Sequence, residues 1–204
     1  MTRRRAAMLG AAGLTAVAGV AAGRGAAADE AGEVSGGGAG WMPGVRRRQL
    51  RRNFSSGGRV AQRGLILHVQ EGEVSPFKWF STAAAKSSSH FWVSEKGGIE
   101  QYVSVLDRAW TQAQGNDEWA SVETSGFATQ PLTSAQINAV ARIYAWGARA
   151  YGWPLSVTDS AKGRGLGTHS IGGKRWGGHK CPGPLRARNR EAILARAREL
   201  IRQA

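Results

Sequence analysis

From residue 64 onward, apolar and polar positions fall into short runs that resolve into strands and helices one by one. Leu65-Ile66-Leu67-His68-Val69 is almost continuously apolar, the pattern of a strand covered on both faces, and Glu71-Gly72 ends it. Pro76 to Lys86, with Phe77, Trp79, Phe80 and three alanines, predicts a helix opened at Ser75-Pro76. Ser89 to Val93 and Ile99 to Val103 flank Ser94-Glu95-Lys96-Gly97-Gly98 and predict a hairpin. Trp119 to Thr124 alternates as a further strand, with Trp119, Ser121 and Glu123 on one face and Ala120 and Val122 on the other.

The period then changes from two to 3.6. Ile137, Val140, Ala141, Tyr144, Ala145 and Ala148 recur at helical spacing after the capping hydroxyls of Thr133 and Ser134, and Gly152 and Pro154 stop the helix. A last amphipathic helix spans roughly 188–202, with Ile193, Leu194, Ala197, Leu200 and Ile201 on one stripe and arginines opposite. Strands interspersed with helices predict a single α/β domain over 61–204, a central mixed sheet flanked by helices. Residues 29–60, rich in Gly, Ser and Arg and without apolar periodicity, read as a linker and irregular lead-in, with Trp41 and Met42 the residues placed to pack on the core.

The amino terminus changes the setting. Arg3-Arg4-Arg5, an Ala/Gly/Leu/Val-rich stretch from Ala6 to Gly23 and Ala26-Ala27-Ala28 before Asp29 read as an export signal over 1–28, with an arginine pair of twin-arginine type. The expected product is secreted and extracytoplasmic, associated with the cell wall, with no stable membrane insertion once the signal is cleaved. The whole chain carries +14; removing the four arginines of the signal leaves 24 basic against 14 acidic residues, or +10. That charge favours polyanionic surroundings, but the arginines are dispersed and surround no nucleic-acid-binding module, so a solvated basic surface and no nucleic-acid partner are expected.

The carboxy-terminal stretch 165–184 carries seven glycines, two of the four histidines and the only cysteine. A stretch so rich in glycine is expected to be neither helix nor strand for long, so its order must come from elsewhere, and a bound metal is one source. A lone cysteine in an exported chain forms no internal disulfide, which makes Cys181 beside His169 and His179 a metal-ligand candidate. The spacings exclude a zinc finger or ribbon and leave one ligand from a strand end, His68, and two from the late loop, with His169 and His179 both open as the middle one.

The segments Leu65 to Gly72, Ser89 to Val103, Asp107-Arg108-Ala109-Trp110, Ser121-Val122-Glu123 and His169-x6-Trp176-Gly177-Gly178-His179-Lys180-Cys181-Pro182-Gly183 stand in one order. In that order the chain, over about 60–200, resembles the zinc-dependent N-acetylmuramoyl-L-alanine amidases of the type 2 amidase and peptidoglycan recognition protein family. The resemblance implies Zn2+ held by His68, His169 and Cys181, and Glu123 as general base. It implies His179 as a donor facing the reacting carbonyl, in preference to a ligand role, because a His-x-Cys pair reaches one metal awkwardly. Ser89 stands where some phage members carry a catalytic tyrosine, so proton transfer would rest on Glu123. Trp110 and Trp176 are candidates to line a substrate groove, against ordinary packing, and His90 is a candidate to orient a ligand from behind. The implied substrate is the bond between N-acetylmuramic acid and L-alanine of peptidoglycan, cut by a monomer; the alternative is a muropeptide-binding module without catalysis, whose members usually lack the cysteine.

Overall fold

The structure, a computed structural model, describes residues 38–204; the signal segment over 1–28 lies outside the described residues. Its centre is β3 (Gly64–Val69), buried along its whole length as its apolar run predicts. Around it stand β1 (Arg46–Arg47), β4 (Phe91–Val93), β5 (Ile99–Gln101), β7 (Ala120–Thr124) and β8 (Gly165–Thr168), in the order β1-β5-β4-β7-β3-β8. All neighbours pair in parallel except β4 with β5, the hairpin read from Ser94 to Gly98, so the sheet is mixed. β2 (Phe54–Ser55) and β6 (Arg108–Ala109) form a small antiparallel ribbon beside it.

Strand alternation divides β3 between two environments. Leu65 and Leu67 join Ala120, Val122 and the inner face of α2 (Ser134–Tyr151) and α4 (Arg190–Arg202) in the main core. Ile66 faces the other way, with Trp119 and Trp176. His68 shares that second face, and the parallel register sets it directly opposite Glu123. The pleat that buries the leucines therefore also places an imidazole beside a carboxyl at the carboxyl ends of two neighbouring strands.

α2 begins as its sequence predicts. Thr133 Oγ1 accepts from the Gln136 N–H and Gln136 Oε1 accepts from the Thr133 N–H, a reciprocal cap, and Gly152 ends the helix at φ 65°. Among the described residues no helix is long and apolar enough to cross a membrane.

Three expectations need correction. The helix expected over 76–86 is a single turn, α1 (Phe77–Phe80), because Asn53 Nδ2 donates to the carbonyls of Phe80 and Thr82 at 2.7 and 2.8 Å. The residues after Phe80, Ser81 to Lys86, are exposed apart from a half-buried Ala85 and offer no large apolar face for a second turn to bury. The glycine-rich stretch begins as a strand, since β8 pairs with β3 where Gly64 meets Gly165; a Cβ on Gly64 would lie 1.9 Å from the Gly165 carbonyl oxygen. Glycine here permits close approach of two backbones. Finally, the lead-in packs on the core beyond Trp41 and Met42, the two residues expected there: Val45 and Leu50 are buried as well, and Gln101 holds both the Met42 N–H and the Gly40 carbonyl.

His90 sits in the interior rather than at the site. The Ser121 N–H donates to its Nδ1, and its Nε2–H donates to the Asp107 carbonyl at 3.1 Å. Burial, with the nearby Arg59 charge second, holds its pKa down to about 3. A histidine kept neutral on folding contributes stability above its ordinary value of 6.5 that is lost as pH falls from there toward 3, because only the unfolded chain takes up the proton. Urea unfolding of wild type and His90→Gln should show a steeper loss in wild type between about pH 6.5 and pH 4, by roughly 2–3 kcal/mol. Parallel curves would refute the neutral assignment.

Candidate metal and active site

Three elements deliver the site. His68 is the penultimate residue of β3 and is fully buried. β8 runs parallel to β3 with Thr168 opposite Leu67, so His169, the next residue, emerges beside His68, the two ring centroids 4.7 Å apart. After a 3-10 helical run (His169–Trp176) the chain returns with Cys181, whose carbonyl accepts from the Ser170 N–H. Its Sγ accepts the Val69 N–H at 3.3 Å and lies 3.8 Å from His68 Nδ1.

The ligand atoms of His68, His169 and Cys181 all lie within 4.8 Å of one another. Tetrahedral zinc with two nitrogens and one sulfur needs separations of about 3.3–3.6 Å, so closure onto one ion requires movements on the order of 1 Å. Each imidazole has its outer nitrogen engaged: His68 Nε2 with Gln112 Oε1 at 3.1 Å, His169 Nε2 with the Trp176 carbonyl at 2.8 Å. Nδ1 is the nitrogen left on each ring, on His68 facing Cys181 Sγ and Glu123 Oε1, and a bonded outer nitrogen is the usual support of a metal-ligating histidine.

The electrostatics agree with a cation site. Burial, then the neighbouring His169, push His68 well below the ordinary histidine range, and burial lowers His169 too, so both imidazoles are neutral and able to ligate at neutral pH. Burial raises the Cys181 thiol to about 12, with the Glu123 charge adding to it, and raises the Glu123 carboxyl to about 8. Glu123 Oε1 is 3.9 Å from His68 Nδ1, and Oε2 is buried with no hydrogen-bond partner. A buried acceptor without a partner beside three soft or borderline donors fits a divalent ion such as zinc.

These residues open onto a cleft of about 860 Å³ whose walls include Glu123, His179, Lys180, Thr129 and Leu185. Glu123 also borders a second cleft of about 530 Å³ formed by Ser75, Lys78, Trp79 and Phe80. The carboxyl thus stands where two hollows meet.

The other residues singled out from the sequence fall in different places. His179 is exposed on the cleft wall, its ring 4.8 Å from that of His169, outside the three-residue cluster. Trp110 is 39% exposed with its Nε1–H donating to Ser55 Oγ; its neighbour Thr111, not Trp110, borders the cleft. Trp176 is 5% exposed, packed edge-on against Trp119, and borders a separate hollow of about 350 Å³ with Arg63 and Glu118, not the cleft at the cluster; its part in the site is the carbonyl that holds His169. His90 touches Ser121 and Asp107, and the side chain within hydrogen-bond distance of His68 Nε2 is that of Gln112.

Two contributors carry no recognisable sequence signal. Gln112 lies in a turn-rich segment without periodicity. Arg186 is one arginine among many in the chain, yet it is buried on the short helix α3 (Pro184–Ala187) just past Cys181. Its guanidinium donates to Thr124 Oγ1 and to the carbonyls of Ser125, Phe127 and Gln130, and Thr124 Oγ1–H in turn donates to the His68 carbonyl. The late loop is thereby tied to β7 and β3 through polar contacts that a sequence pattern does not display.

The profile of the N-acetylmuramoyl-L-alanine amidase family, Amidase_2, matches residues 57–184, more than half of the chain and the span that contains every residue of the cluster. The chain belongs to this amidase family. As a peptidoglycan amidase it hydrolyses the amide bond between N-acetylmuramic acid and L-alanine.

Solved structures share the amidase fold at low identity. The hydrolase AmiA of Staphylococcus aureus, solved with its ligand, aligns at TM-score 0.63 and 17% identity over 79% of this chain and 86% of that one. A selenomethionine derivative of AmpD aligns at 0.58 and 19% over 77% and 97%. The Drosophila peptidoglycan recognition protein SD aligns at 0.51 and 12% over 69% and 85%. No curated protein shows a significant sequence match.

Proposed function

We propose that this amidase is a secreted, monomeric zinc enzyme acting on the muramyl peptide of the cell wall, with His68, His169 and Cys181 holding the metal and Glu123 moving the proton. The observation that carries this reading is the convergence of the three donor atoms within 4.8 Å beside a buried carboxyl oxygen that has no other partner. When bound, zinc supplies Lewis acidity toward an amide carbonyl and acidifies water to a pKa of about 7.

The chain's own residues do the rest. Glu123, as carboxylate, takes a proton from the attacking water and returns it to the departing alanine nitrogen. His179, exposed on the cleft wall, donates to the carbonyl oxygen as negative charge develops there, a contribution of about 3 kcal/mol if it matches other oxyanion donors. The two hollows that meet at Glu123 give room for the substrate on either side of the bond to be cut. The signal-like segment over 1–28 and the basic mature chain support export to an anionic wall.

Purified wall incubated with the protein should release stem peptides carrying a new alanine amino terminus. A chelator should stop the release, and zinc added back should restore it. Binding to wall without any new amino terminus would favour a recognition module, and activity unaffected by exhaustive chelation would remove the metal from the reading.

A further inference from the structure

We propose that Gln112 is a positioning residue for the metal centre, selecting the imidazole tautomer of His68 through a hydrogen bond that the surrounding packing allows in one orientation only. The inference rests on the metal reading above and concerns how this chain prepares its first ligand.

The orientation follows from counting donors and acceptors around a fully buried amide. Gln112 Nε2 faces two carbonyl oxygens, those of Gly115 at 3.4 Å and Trp119 at 3.2 Å, so the NH2 group must point there. Its Oε1 is thereby turned to His68 Nε2 at 3.1 Å. An oxygen cannot donate, so His68 Nε2 carries the proton and the lone pair sits on Nδ1, the atom 3.8 Å from Cys181 Sγ and 3.9 Å from Glu123 Oε1. Asn116 Oδ1 fixes the backbone beneath by accepting from the Thr111 and Gln112 N–H groups.

The same packing unit reaches the second histidine. The Trp119 ring meets the Trp176 ring edge-on, and the Trp176 carbonyl takes the Nε2–H of His169. A Cβ on Gly115 would fall 2.5 Å from Trp176, so the turn that holds Gln112 docks against the loop that holds His169 only because residue 115 has no side chain. Gln112, Gly115, Trp119 and Trp176 form one block that holds the Nε2 of both imidazoles, although none of their side chains joins the ligand cluster. Gln112→Leu removes the acceptor and leaves His68 Nε2–H buried without a partner. Gly115→Ala deletes no hydrogen-bonding group but wedges the block, pressing on Trp176 at 2.5 Å and on Gln112 Cγ at 2.8 Å.

The test reads the tautomer directly, without activity and without metal. Long-range 1H–15N correlation spectra of the metal-free full chain should show His68 protonated at Nε2. In Gln112→Leu, or in Gln112→Met if the leucine variant does not fold, the Nδ1–H form should gain population. Zinc affinity measured by chelator competition should fall about 10- to 100-fold in the Gln112 variant and in Gly115→Ala. An Nδ1–H tautomer in wild type would overturn the proposal. So would a Gln112 variant with the wild-type tautomer and zinc affinity. If wild type takes up no zinc, the proposed function fails, and the tautomer spectra still decide whether Gln112 orients His68.

Discussion

Cys181→Ala is expected to lose both bound metal and amide hydrolysis, with activity falling to the level of the uncatalysed control. Cys181 carries the only thiol in the sequence, and the place of its Sγ is prepared by the Val69 N–H at 3.3 Å and by the return of the loop onto Ser170. Removing it leaves two imidazoles, too few to hold zinc against solution chelators, and opens the buried floor of the cleft. The fold should survive, because the sheet, α2 and α4 are packed around a core that does not include Cys181. Circular dichroism with activity on purified wall checks both halves. Retained hydrolysis in a folded Cys181→Ala protein would mean that the thiol is not a ligand of the catalytic centre.

Glu123→Gln should behave differently, keeping the metal while kcat drops by about 10²–10⁴. The amide has the shape of the carboxylic acid but cannot accept and pass on a proton. The side chain sits 3.9 Å from His68 Nδ1 without belonging to the ligand cluster, and its Oε2 has no protein partner that the substitution would deprive. Since burial disfavours the charged form here, the neutral amide should leave stability unchanged or slightly raised. Measured zinc content, thermal midpoint and kcat separate the outcomes. Loss of metal in this variant would make Glu123 a ligand, and an unchanged kcat would end its role as base.

Much of the sheet was legible because its strands satisfy local rules. The apolar run at Leu65–Val69, the Ser94–Gly98 turn and the Thr133/Gln136 cap each act within a few residues. What escaped depends on contacts distant in sequence. β8 exists because Gly64 and Gly165 let two backbones touch, and α1 stops after one turn because Asn53 takes its carbonyls. Glycine content suggested a loop in the first case, and helix propensity ran on too far in the second.

The site divides in the same way. His68, Glu123 and Cys181 stood out through their place in a recognisable order of motifs, whereas spacing alone left His169 and His179 as rivals. The parallel pairing of Thr168 with Leu67 sets His169 next to His68, while Gly177 and Gly178, both at positive φ, precede His179 on the cleft wall. The place of Trp176, off the cleft at the cluster, escaped because an exposed and a buried indole look alike in a chain with eight tryptophans. Gln112 and Arg186 act through buried hydrogen bonds to distant segments, a property that neither periodicity nor composition records.

The account stands on three side chains sharing one ion, and elemental analysis of the purified protein and its histidine variants tests that most directly. Wild type and His179→Ala should each carry one equivalent of zinc per chain, and His68→Ala and His169→Ala essentially none. A zinc-free wild type, or a His169→Ala protein that keeps its metal while His179→Ala loses it, would contradict the account.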